Sequence, residues 1–141
     1  CRLRRSARAA DQEIARKSLD QLRERTGASG TAWAKGTEAH ASALLEDGES
    51  AEHLHREGIE SLERSRMAAH LARARLSYGE WLRRERLRLA QRLLETGHDP
   101  LPIVARKAGY ESATTMRAHF AGELHTSPRA YRETFGRGSL T

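Results

Sequence analysis

The sequence predicts an all-α chain: antiparallel helical-repeat hairpins followed by a linker helix and a helix-turn-helix. Three observations carry this. No stretch alternates apolar and polar residues, and β-branched residues are few, so no strand is expected. Apolar residues recur instead at helical spacing. Short glycine-bearing stretches, "GASG" at 27–30 and "EDGE" at 46–49, divide these periodic segments.

The first predicted helix covers residues 7–25, with Ile14, Ala15, Leu19 and Leu22 on one side. The second covers 31–45, through Trp33, Ala34, Ala41, Leu44 and Leu45. Gly48 stops the chain before an amphipathic helix at 50–63, whose inner face carries Ala51, Leu54, Ile59 and Leu62. Gly58 is its small contact point. A long helical stretch then runs from about Arg66 into the 90s. Gly79 is its weak point, costing about 1 kcal/mol relative to Ala, and a break or bend is expected near Ser77–Glu80. Leu45 and Gly79 lie 34 positions apart, a common period for stacked helix pairs. Beyond it, Arg83 to Glu95 buries Leu82, Leu87, Leu89, Ala90, Leu93 and Leu94, and turns Arg84, Arg88 and Arg92 outward as a basic row. Gly97 ends that helix.

Composition sets the bounds. The 141 residues are 31% charged and 5% aromatic, with a mean hydropathy of −0.75. A modest Leu/Ala core is what such a chain can bury. No run of about 18 apolar residues exists, so no membrane span is expected. "CRLRRSARAA" lacks the apolar stretch of a secretory signal. Beginning with Cys rather than Met, the chain reads as a fragment or a processed form. A lone cysteine allows no intrachain disulfide, which suits a cytoplasmic protein. Residues 1–78 carry 14 basic and 12 acidic side chains, and residues 79–141 carry 11 and 7. The positive excess therefore leans toward the C-terminal part, as a polyanionic partner there requires.

The stretch "ARKAGYESATTMRAHF" at 105–120 holds the main functional signal. Asp99 is expected as N-cap and Pro100 as first helical residue. Leu101, Val104, Ala105 and Ala108 face the core, and Ala105 is small enough to let a second helix cross closely. Gly109 turns the chain with positive φ, Tyr110 fills the space under the turn, and Ser112 caps the next helix. Met116, Phe120 and Leu124 anchor that helix at i, i+4 and i+8. Ala113, Thr114 and Arg117 fall on its outward face, where short polar groups and an arginine match what base edges accept. "HTSPRAYRETF" then turns at 125–127 and opens a last helical segment at Pro128, with Tyr131 and Phe135 inward.

"VARKAGYESATTMRAHFAGELHTSPRAYR" resembles the second helix-turn-helix of the AraC/XylS family of transcription regulators. The likeness rests on Ala105, Gly109, Tyr110, Ser112, Met116, Phe120, Ser127, Pro128, Tyr131 and Arg132. "YGEWLRRERLRLAQRLLETG" at 78–97 looks like that family's linker helix. The sequence departs from the pattern at Ala118 and Ala121, where the family has basic residues, and at His125, where it has glycine. No first helix-turn-helix precedes the linker. Residues 7–83 resemble instead the helical repeats of large ATP-dependent LuxR-family regulators, and the two likenesses overlap at "YGEWLRRER". No Gly-rich phosphate loop accompanies them.

These resemblances imply a helical-repeat, TPR-like segment at 1–77, an AraC-type half module at 78–136 and a flexible tail at 137–141. They imply a sequence-specific DNA-binding regulator acting on double-stranded DNA. Ala113, Thr114 and Arg117 would contact bases; Ser112, Arg106, Lys107 and Arg132 would contact phosphates. With one unit only, affinity should be low and salt-dependent, and a homodimer or a protein partner held by the N-terminal helices would supply the rest. Two other readings stay open: a helical-repeat interaction module, and a hybrid fragment with weak or no DNA binding. No catalytic, metal or cofactor site is expected. His53 and His55 point to different helix faces, and His40, His70, His98, His119 and His125 are scattered, so solvated or packed histidines are expected.

Overall fold

A computed structural model of the chain describes residues 2–136, with side chains from residue 11 onward. The expected tail at 137–141 and Cys1 lie outside the described residues. Seven α-helices and no strand are found among the described residues: α1 (Arg2–Gly27), α2 (Ala32–Ala43), α3 (Gly48–Ser65), α4 (Ala68–Thr96), α5 (Leu101–Lys107), α6 (Ala113–Leu124) and α7 (Pro128–Phe135). The all-α class with hairpin packing and a C-terminal helix-turn-helix pair is therefore as the sequence predicts. The chain divides into two compact units, Cys1–Gly79 and Glu80–Thr141.

In the first unit, α2 begins at Thr31, whose hydroxyl accepts from the Ala34 N–H at 3.2 Å. The central contact is α2 against α3. A Cβ added to Gly36 would stand 2.7 Å from Leu62 Cγ and 3.1 Å from the Gly58 carbonyl. One added to Gly58 would stand 3.1 Å from the His40 amide nitrogen. The two backbones meet because neither glycine has a side chain; Gly58 is the contact point the sequence predicts, and Gly36 is its unpredicted counterpart. Around the crossing, Ala34, Ala39, Ala43, Ala51, Leu62 and Ala74 are buried, together with polar Thr26, Ser42, His55 and Ser61. Arg66 closes α3 in the left-handed region at φ 58°, rather than opening the next helix.

Three expectations for this half are corrected. Ile14 and Leu44 are 63% and 57% exposed, while alanines and Leu62 take the buried positions of this unit. Gly48 has a left-handed φ of 64° and starts α3 instead of stopping before it. Helix α4 is unbroken through Ser77–Glu80. Gly79 sits there with nothing within 4 Å of a Cβ position, and the cost of about 1 kcal/mol relative to Ala does not break the helix.

In the second unit, Leu87, Ala90 and Leu94 of α4 pack with Val104, Ala105, Ala108, Tyr110, Met116 and Phe120. Leu89, Leu93, Leu101, Leu124 and Tyr131 border this cluster. Arg84, Arg88 and Arg92 lie exposed, as expected of the basic row. Gly97 follows α4 and donates to the Leu93 carbonyl at 3.1 Å, but it keeps negative φ and is no left-handed cap. Among the described residues no helix is long and apolar enough to cross a membrane.

Candidate nucleic-acid interface

Helix α5 starts differently from expectation. Pro100 is its N-cap, with ψ 147°, and Pro102 lies in the first turn. Asp99 stands outside the helix, where its carboxylate takes the Lys107 ammonium at 2.6 Å. Its carbonyl accepts from Arg132 Nη2, also at 2.6 Å. Asp99 is thus a tie between α5 and α7 rather than a cap.

The turn after α5 follows from one glycine. Gly109 takes φ +80°, which costs a residue without a side chain little. That conformation lets the Gly109 N–H donate to Arg106 O at 3.1 Å and the Tyr110 N–H to Ala105 O at 2.9 Å. These two bonds satisfy carbonyls that a helix end otherwise leaves open. Tyr110 drops under the turn and is 7% exposed. Ser112 then caps α6, accepting from the Thr115 N–H at 3.1 Å. Met116 and Phe120 are fully buried and fix the inner side of α6 against α4 and α5.

What α6 turns outward is the candidate surface. Thr114, Arg117, Ala118 and Ala121 are exposed, and so is Ser112 at its start. Ala113 departs from expectation: it is half-buried and packs against the core cluster, because it lies nearer the Met116–Phe120 side than Thr114 does. Arg106 is exposed. Lys107 is exposed but paired with Asp99. Arg132 is half-buried, and its bond to Asp99 commits it to holding α7 in place. His125 ends α6 in the left-handed region at φ 52°. That conformation normally favours glycine and strains a side-chain-bearing residue by about 1–2 kcal/mol.

Helix α7 closes the unit. Ser127 caps it through the Ala130 N–H at 3.1 Å. Tyr131 stacks edge-on against Phe120 at 5.7 Å, donates to Glu95 at 2.6 Å and accepts from Gln91 at 3.1 Å. Burial, then the Glu95 bond, pushes the Tyr131 phenol up. Phe135, expected inward, is 59% exposed, its ring tilted against Tyr131 with centroids 4.8 Å apart.

Sequence reasoning missed two features here. Tyr110 Oη lies 2.7 Å from His119 Nδ1, joining the turn to α6. Arg86 of α4 lies beside the turn, its Nε 3.5 Å from a Cβ placed on Gly109. Neither contact has a sequence signal, since the partners are nine and 23 positions apart. Among the described residues no group of three or more His, Cys, Asp or Glu can hold a metal ion.

Residues 59–134, just over half of the chain, match the family described as "Helix-turn-helix domain". The chain belongs to that helix-turn-helix domain family. The matched span begins inside α3, upstream of Tyr78, where the sequence likeness alone starts. Over 57 residues, 40% of this chain, it is 37% identical to the HTH-type transcriptional regulator Rv1931c of Mycobacterium tuberculosis. That stretch covers 22% of the relative, so the chain spans about a fifth of its length. No solved structure matches the chain.

Proposed function

We propose that this helix-turn-helix protein is a sequence-specific DNA-binding transcription regulator of AraC type, with α6 as the helix that enters the major groove. One observation carries the reading: α6 is anchored by fully buried Met116 and Phe120 while Thr114 and Arg117 stand exposed on its first two turns. The likeness to an HTH-type transcriptional regulator supports it. Arg117 and Thr114 read base edges, and Ala113 touches a thymine methyl at the margin of the contact. Ser112 and the open N–H groups at the α6 start meet a phosphate. Arg106 is the foremost additional phosphate contact. Lys107 joins it by exchanging Asp99 for phosphate, and Arg132 acts chiefly by holding α7.

The experiment is a binding-site selection from random duplexes. Arg117→Ala should weaken the selected site by about 1–3 kcal/mol and flatten its base preference. Arg106→Ala should weaken all duplexes alike and lower the salt slope by about one. An unchanged sequence profile for Arg117→Ala removes it as a reader.

A second role rests on the first unit. Ile14, Leu44 and Leu76 are 63%, 57% and 65% exposed there. Association through the N-terminal helices, with a second copy or a protein partner, would bring two helix-turn-helix units to two half-sites. Sedimentation of the full chain at micromolar concentration tests this; a monomer that still binds one site tightly contradicts it.

A further inference from the structure

We infer that Ala118, at the centre of the exposed face of α6, reads a thymine in the bound duplex through that base's 5-methyl group. This rests on the DNA-binding reading above. It adds the base that α6 selects there, and a residue that reading does not use.

The position follows from the helix. Met116 and Phe120, both fully buried, fix the inner side of α6. Ala118 is two residues from each, about 160° around the axis from either. It therefore points directly away from the core of the second unit, and it is exposed. Thr114 and Ala121, also exposed, lie about 40° and about 60° to one side of it, with Arg117 about 100° round in the same direction. Gly122 lies about 40° to the other side. Ala118 thus shares one arc with both base readers.

Close approach is open to it. A methyl contact needs carbon atoms within about 4–4.5 Å. Within one turn of Ala118 on this face stand Thr114, Thr115, Ala121 and Gly122, all short. Gly122 has nothing within 4 Å of a Cβ position. The chemistry then decides the base. Ala118 offers a methyl group and no hydrogen-bonding atom. In the major groove guanine presents N7 and O6, adenine N7 and its amino group, and cytosine its amino group. A methyl set against any of these strips water from a polar atom and gives it no partner, which is costly. Thymine alone presents a methyl there, and two methyls in contact leave water together. Arg117, at the far edge of the arc, is the hydrogen-bonding reader, and guanine is the base it suits.

Deoxyuridine is the probe, since it keeps every hydrogen-bonding atom of thymidine and lacks only the methyl. The duplex enriched by binding-site selection is remade with deoxyuridine at each thymidine in turn. Fluorescence anisotropy with the full chain reads the affinity. At the position under Ala118 wild type should lose about fourfold, the worth of one buried methyl group. The loss should be the same at low and at moderate salt, because no counterion is involved. Ala118→Gly should bind the thymidine and deoxyuridine duplexes equally at that position. Ala118→Gln keeps a good helix former, and its amide pairs with adenine. It too should lose the dependence on the methyl, and a repeated selection should exchange thymine for adenine there. A wild type that no deoxyuridine weakens overturns the contact, and so does a loss that persists in either variant. Sequence preference retained in those cases leaves the DNA-binding reading standing. A wild type that binds no duplex, or all duplexes alike, removes that reading and the methyl contact together.

Discussion

The two units solve the same problem, bringing helices close, with different materials. In the first, α2 and α3 meet backbone to backbone at Gly36 and Gly58, with His55, Ser61, Ser42 and small alanines around them. In the second, α4, α5 and α6 meet through large apolar side chains, with Phe120, Met116, Leu94 and Val104 fully buried. A glycine crossing tolerates no added atom, and a polar surround responds to pH. An apolar core responds to lost volume. The apolar core anchors α6 through Met116 and Phe120.

The contrast predicts a ranked series of effects. Phe120→Ala should be the most damaging, lowering the stability of the second unit by about 3–5 kcal/mol. Urea denaturation read by circular dichroism checks it, and a loss under about 1 kcal/mol means the core is less tight than described. Gly36→Ala should follow, at about 1–3 kcal/mol. Its new methyl meets the Leu62 and Gly58 backbones as well as Leu62 Cγ, and a backbone cannot step aside as a side chain can.

The glycine-crossed unit should respond to mild acid. Burial, then the Arg73 and His70 charges, holds the His40 imidazole below its usual value of 6.5. The folded state therefore binds protons less readily than the unfolded state. Stability should fall as pH drops below about 6.5 and level off once the folded-state value is passed. Urea midpoints across that range check the sign, and His40→Gln should flatten the dependence. The smallest effects should be gains. Gly79→Ala adds about 1 kcal/mol in open space within α4. His125→Gly relieves left-handed φ, offset partly by chain entropy, for a gain of up to about 1 kcal/mol. Thermal melts read both.

Much of the second unit was legible in sequence because its determinants are local. Gly109 needs positive φ, Ser112 caps, and Met116 and Phe120 repeat every four residues; each names its own place. The end of α5 was equally plain, but its start was not. Asp99 has the side chain an N-cap uses, but Lys107 and Arg132, eight and 33 positions away, engage it outside the helix. The first unit was legible as helices but not in its facing. Ile14 and Leu44 have the spacing of a buried side, yet the α2–α3 crossing is so close that alanines and glycines occupy it. Apolar periodicity marks large side chains and overlooks a contact made of missing ones. Phe135 has the spacing of an inward residue but lies exposed against the Tyr131 ring.

The central claim is that α6 carries a surface for duplex DNA. Filter binding of the full chain to random duplex at low and at moderate salt tests it most directly. Retention at low salt should weaken steeply as salt rises, with Arg106→Ala weakening less steeply than wild type. No retention at either salt, or retention that ignores salt and is unchanged in Arg117→Ala and Arg106→Ala alike, contradicts it.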